Sequence, residues 1–211
     1  MKERPILFSG EMVRAILNNR KTQTRRVLKK QPLDILPMKV PDAWVTLRTR
    51  EPEPHGDLIR CRFGISGDRL WVREKWAHDD PDCTDVKCGN IDHIWWYASE
   101  NKIVADSFAG KAHWRPSIHM PRWASRITLE IVKIRVERLH AITTEDILAE
   151  GIKQTKDEFW LGPLAGVPDY PWGRAELAYA ARWNELNDKR GHGWDDNPFV
   201  WVIEFKRVDV C

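Results

Sequence analysis

Residues 125–139 read Ser125-Arg126-Ile127-Thr128-Leu129-Glu130-Ile131-Val132-Lys133-Ile134-Arg135-Val136-Glu137-Arg138-Leu139. Ile127, Leu129 and Ile131 alternate with polar neighbours, the period of a strand that buries one face. The next apolar pair, Ile134 and Val136, is out of step with that series by one residue. The spacing therefore predicts a bulge or sharp bend near Val132-Lys133. Working outward, Phe199 to Lys206 reads as a strand near the C-terminus, and Ile6-Leu7-Phe8 and Ile94 to Tyr97 as short ones. In Arg69 to Glu74, Leu70 and Val72 alternate with Trp71 and Arg73, which predicts a strand with two unlike faces.

The helical signals are fewer. Ser9 or Gly10 can cap a helix whose stripe is Met12, Val13, Ile16 and Leu17, and Asn18-Asn19 supplies a stop that tolerates the left-handed conformation. Thr143 and Asp146 stand at capping-box-like spacing before a short helix that Gly151 ends. A Pro/Gly-rich linker, 161–173, leads to a longer helix over about 175–188. Strands outnumber helices and no repeat is visible, so the expectation is an α+β chain, 1–211: a small mixed β-barrel with flanking helices. Residues 31–60 (with Pro32, Pro37, Pro41, Pro52 and Pro54) and 78–115 interrupt the pattern and read as two insertions.

With 211 residues, 42% hydrophobic and 31% charged, the chain is long enough for a sizeable core and too apolar for disorder. No run approaches the ~18 apolar residues of a membrane helix, and Met1 to Phe8 lacks the pattern of a signal peptide; the expected location is the cytoplasm. A net charge of +3 is too mild to imply nucleic acid, but its distribution is uneven. Between Met12 and Leu33 there is no acid, while Arg14, Arg20, Lys21, Arg25, Arg26, Lys29 and Lys30 are all basic. The 12 Trp outnumber 3 Tyr and 6 Phe. Trp71, Trp76 and Trp123 each lie beside Arg or Lys, Arg73 among them, and are candidates to stack on bases while the basic side chains hold phosphates. Four cysteines are most simply reduced thiols. His78, Cys83, Cys88 and His93 recur every five residues and are zinc-type donors, but usual ligand pairs are closer, and a polar loop is the plainer reading. No cofactor is called for.

Four segments occur in order: Ile16 to Arg26 (Ile-Leu-Asn-Asn-Arg-Lys-Thr-Gln-Thr-Arg-Arg), Gly67 to Val72 (Gly-Asp-Arg-Leu-Trp-Val), Ile142 to Ile152 (Ile-Thr-Thr-Glu-Asp-Ile-Leu-Ala-Glu-Gly-Ile) and Trp201 to Phe205 (Trp-Val-Ile-Glu-Phe). Together they resemble the ASCH domain of the PUA-like superfamily. With Arg115 to Arg126 added, the chain looks like the larger form carried by bacteriophages and prophages, which would place it in the cytoplasm of a bacterial host. It carries Asn19 where family members usually have Gly. The resemblance implies a PUA-like β-barrel and an association with RNA or modified nucleosides. Some compact members are amidohydrolases that remove the acetyl group from N4-acetylcytidine, and another type is a ribonuclease. The amidohydrolase residues match Lys21, Thr24 and Glu150.

Such a hydrolysis needs a nucleophile, a base and an acid for the leaving amine. Thr24 would be the nucleophile and Lys21 its base, if burial and the neighbours Arg20, Arg25 and Arg26 lower the lysine pKa. Glu150 would protonate the leaving amine or activate water, and at a helix end it invites a cationic partner, Lys21. The alternatives are a non-catalytic RNA- or single-strand-binding module gripping with Arg20, Arg25, Arg26, Lys29 and Lys30, and a ribonuclease using His119 and His140.

Overall fold

The computed structural model describes residues 1–36, 43–48, 57–78, 95–97, 114–156, 158–160 and 173–208. Five strands form the main sheet: β1 (Glu3–Leu7), β2 (Gln23–Val27), β6 (Arg69–Arg73), β9 (Thr128–Arg138) and β12 (Phe199–Val208). Their order is β1-β6-β9-β12-β2, with β1 and β6 parallel and the other pairs antiparallel.

The long β9–β12 pairing organises the sheet. Its register steps from Glu204 opposite Lys133 to Phe205 opposite Ile131. Val132 is thus the extra residue of a bulge, at the place where the apolar alternation slips. The bulge keeps Ile134 in the same core as Ile127, Leu129 and Ile131, whereas Val132 itself is exposed. A strand without it would turn Ile134 to the opposite face.

β12 is buried on both faces. Trp201, Ile203 and Phe205 join the core with Ile6, Leu70, Val72, and with Val13 and Ile16 of α1 (Gly10–Leu17). Val200 and Val202 face a second core with Ile147 of α2 (Thr144–Ala149) and Ala178, Tyr179 and Trp183 of α3 (Ala175–Asn187). The sheet is therefore a wall between two apolar layers, and residues of β2 opposite β12 inherit its two faces.

The architecture is α+β, as expected, but the sheet is not closed: β1 and β2 are its two edges. One side chain spans them, since Arg26 Nη2 donates to the Leu7 carbonyl at 2.7 Å. The strand over Arg69–Arg73 has the two unlike faces its alternation predicts: Leu70 and Val72 enter the main core, while Trp71 is buried on the other face with Arg73 stacked over its ring. The segment before β9 is tied to this strand pair, since Ser125 Oγ donates to the Val72 carbonyl and Arg122 Nη2 to Thr128 Oγ1.

Within 31–60, β3 (Asp34–Leu36), β4 (Trp44–Arg48) and β5 (Asp57–Arg60) make an antiparallel sheet. Its ends place Ala43, Val45, Cys61 and Phe63 in the main core. Trp76–His78 (β7) pairs with Trp95–Tyr97 (β8), the strand read at Ile94 to Tyr97. Lys153–Thr155 (β10) and Glu158–Trp160 (β11) form a hairpin that the sequence pattern did not announce. The zinc-type donors Cys83, Cys88 and His93, the side chain of His78 and the linker at 161–172 lie outside the described residues. No described helix is long and apolar enough to cross a membrane.

Gly151 has φ +99°, and a Cβ there would meet Ala15 Cβ at 2.8 Å and Lys21 Cβ at 3.1 Å. Gly151→Ala combines left-handed strain with a clash at the α1–α2 contact, so it should cost about 2 kcal/mol or more. Urea unfolding of the variant beside wild type checks this.

Candidate functional site

The stop at the end of α1 aims the site. Asn19 adopts φ +56°, and the N–H groups of Arg20 and Lys21 both donate to the Ala15 carbonyl. The chain is thereby turned back so that Thr22 N–H reaches the Ala149 carbonyl at 2.8 Å and Lys21 forms a bridge with Glu150. Opposite, the Thr143/Asp146 capping box starts α2, and Glu150 closes it. Two short segments thus meet through Lys21 and Glu150, which are 129 residues apart in sequence.

Lys21 Nζ donates to Glu150 Oε2 at 2.6 Å and to the Glu150 carbonyl at 2.8 Å. The side chains are 0% and 6% exposed, so water screens the pair little. Burial pushes the Lys21 amine below its ordinary value; the Glu150 charge opposes this, while Arg26 and Arg25 reinforce it. The lysine is more acidic than usual because its solvation is lost faster than the carboxylate replaces it.

β2 alternates between the two layers. Arg25, opposite Val202, enters the helix side. Its Nη2 donates to Glu137 Oε1 at 2.5 Å and to Asp146 Oδ2 at 2.9 Å, and its Nη1 lies 3.7 Å from Glu150 Oε1. Arg135 extends the network through Glu137, Asp146 and Glu204. Burial works against Asp146, but the hydrogen bond and charge of Arg25 hold it below the ordinary aspartate range. Tyr179 of α3 is buried near Glu150, and burial followed by that negative charge pushes its hydroxyl well up. Among the described residues, Glu150 Oε1 and Arg25 Nε and Nη1 are buried polar atoms without a protein hydrogen bond.

Thr24, opposite Ile203, is buried on the other layer. Arg26 shares its face by the period of two. Lys21 Nζ and the Arg26 guanidinium both sit over the Phe8 ring, at 5.6 and 5.1 Å. The amine of Lys21 therefore leans toward the layer that holds Thr24. Burial pulls Arg26 down to about 10, still cationic at neutral pH.

The structure brings together Lys21, Glu150 and Arg25, with Thr24 on the strand that follows Lys21. It corrects two other expectations. Arg25 is not a phosphate grip, because its side chain is 0% exposed and ion-paired. Arg26 is likewise turned inward over Phe8, whereas Arg20 is exposed and donates to the Gly151 carbonyl at 2.8 Å. Trp71 and Trp76 are buried and offer no open face to a base. Arg73 stacks on Trp71 at 4.5 Å. Trp123 is half-buried and meets Trp76 edge to face. His119 and His140 sit on separate 3-10 turns, Ser117–His119 and Leu139–Ala141, and His140 is engaged with the Trp194 carbonyl and ring. Tyr179 was missed by sequence reasoning, although it belongs to the apolar face Ala175, Ala178, Tyr179 and Trp183 of a helix that was recognised.

Comparison with known proteins gives no match to a family model, a curated protein or a solved structure.

Removing one member of a buried ion pair leaves the other without compensation, so Lys21→Met and Glu150→Leu should each cost about 3–5 kcal/mol. Lys21→Met combined with Glu150→Leu should cost clearly less than the sum. A double-mutant cycle from urea unfolding measures the difference.

Proposed function

We propose that this chain is an ASCH-type protein of the PUA-like superfamily and an amidohydrolase that removes the acyl group from an N4-acylated cytosine. The observation that carries the reading is the buried Lys21–Glu150 pair, with the lysine more acidic than usual, three residues before Thr24. It supplies a base whose neutral form is accessible, and Thr24 on the strand that follows supplies the hydroxyl. The open sheet, its edges β1 and β2 spanned by Arg26, would then be the described part of the barrel that this family implies.

In the proposed reaction, Thr24 Oγ1 attacks the acyl carbon and its proton passes to neutral Lys21. Collapse of the tetrahedral intermediate breaks the C–N4 bond. The proton on Lys21 is handed through Glu150 to N4, which leaves as the free amine of cytosine. Water then attacks the Thr24 ester. One of its protons returns to Thr24 Oγ1 through the same pair, and the carboxylic acid departs. The charge of Arg25, with Nη1 3.7 Å from Oε1, favours the ionised form of the Glu150 carboxylate from the helix side.

Chromatography of N4-acetylcytidine incubated with the protein tests this directly. Wild type should release cytidine, and Lys21→Ala, Thr24→Ala and Glu150→Ala should each lose at least about a hundredfold in kcat/KM. Failure of the wild type to release cytidine at high enzyme concentration would remove the substrate. If Thr24→Ala keeps full turnover, the nucleophile assignment is wrong.

The pH dependence follows from the direction of the Lys21 shift. The base works only when deprotonated, so kcat/KM should rise with pH and level off below the ordinary lysine value of 10.5. An alkaline limb that continues to climb past that value would contradict a lysine base made acidic by burial.

A further inference from the structure

Three carboxylates surround the Arg25 guanidinium on the helix side of the sheet, and two of them take its hydrogen bonds. Nη2 donates to Glu137 Oε1 at 2.5 Å and to Asp146 Oδ2 at 2.9 Å. Nη1 stops 3.7 Å from Glu150 Oε1, beyond hydrogen-bonding distance. Among the described residues, neither that oxygen nor Nη1 and Nε has a protein hydrogen bond. Arg25 therefore meets Glu150 as a charge and not as a donor, while Glu150 Oε2 keeps its 2.6 Å contact with Lys21.

The two carboxylates that hold Arg25 back are themselves anchored. Glu137 on β9 is bound by Arg135 Nε at 3.0 Å, and Arg135 also reaches Asp146 and Glu204. Asp146 is fixed again by the capping box with Thr143. To close on Glu150, Arg25 would have to give up a bond at Nη2. The restraint also reaches toward water where the pair does not: Glu137 and Asp146 are 20% and 19% exposed, against 6% for Glu150.

One carboxylate thus serves two cations of unlike chemistry. A guanidinium does not release its proton at any working pH, whereas a buried ammonium does. When both draw on Glu150, the lysine is the partner that yields. The other charges around Lys21 are Arg26 on the Phe8 side, with Arg62 and Arg190 beyond it, and the neutral Tyr179 of α3 lies near Glu150. We propose that Arg25 is a positioning residue for the Lys21 base: it shares the Glu150 carboxylate, and Glu137 with Asp146 hold it at the distance that decides how much of that carboxylate the lysine keeps. This rests on the reading of Lys21 as the base, and it places the adjustment of that base on β9 and α2.

Titration of the Lys21 Cε resonance in protein carrying 13C-labelled lysine tests the proposal through the differences between variants. Arg25→Met removes the competing cation and should raise the Lys21 midpoint by about one pH unit or more. Glu137→Gln releases one restraint, lets Arg25 close on Glu150, and should lower the midpoint. In the Arg25→Met background that lowering should largely disappear, whereas a field acting directly from Glu137 would persist there. Loosened packing would admit water and raise the midpoint in both single variants, so the opposite signs separate positioning from a merely structural role. A rise or no change in Glu137→Gln, or an equal fall with and without Arg25, would overturn the proposal. If Arg25→Met does not fold, the sign of the Glu137→Gln shift still decides. A wild-type midpoint at the ordinary lysine value would count against the base itself, and the shifts between variants would still test the role of Arg25.

Discussion

A lysine amine and a carboxylate meet out of water between the turn after α1 and the end of α2, and much of the local fold is arranged so that they can. Neither residue is favourably placed on its own. A buried ammonium loses its hydration, and a carboxylate at a helix C-terminus opposes the helix dipole. Together they satisfy each other at 2.6 Å, and the backbone contributes a further acceptor at the Glu150 carbonyl. The contact demands close approach: Gly151, with no side chain, lets the α2 end lie against Ala15 and Lys21. Asn19 in the left-handed region makes the preceding turn tight enough.

Around this pair the sheet acts as a partition. Because β12 is buried on both faces, β2 beside it must send alternate side chains into two different layers. Arg25 goes to the helices and is neutralised by Glu137 and Asp146; Thr24 and Arg26 go to the core that holds Phe8. A chain that buries this much charge needs every ion matched, since an unmatched one costs several kcal/mol. The helix side meets that demand with a connected network. Among the described residues it leaves Glu150 Oε1 and Arg25 Nε and Nη1 without protein hydrogen bonds.

Periodicity made the strands legible. The slip between Ile131 and Ile134 located the bulge at Val132, and Thr143 with Asp146 located the start of α2. The lysine–glutamate partnership was legible too, because a carboxylate at the end of a helix calls for a cation. What failed was the assignment of Arg25 to the surface, whereas Arg20, Lys29 and Lys30 of the same segment are exposed. An unbroken basic run looks like a phosphate grip, yet its acidic partners, Glu137, Asp146 and Glu150, lie more than a hundred residues away and only the register of β2 against β12 brings them near. Exposure of Trp71 failed too: it is buried, with Arg73 stacked over its ring at 4.5 Å.

The central claim is that burial makes the Lys21 amine more acidic than an ordinary lysine while Glu150 holds it. Nuclear magnetic resonance titration of protein carrying 13C-labelled lysine reads this at one atom, with the Cε resonance assigned by its loss in Lys21→Met. The account predicts a midpoint for Lys21 below 10.5. A midpoint at that value or higher would mean that the carboxylate outweighs burial, and Lys21 would then be a structural cation and not a base.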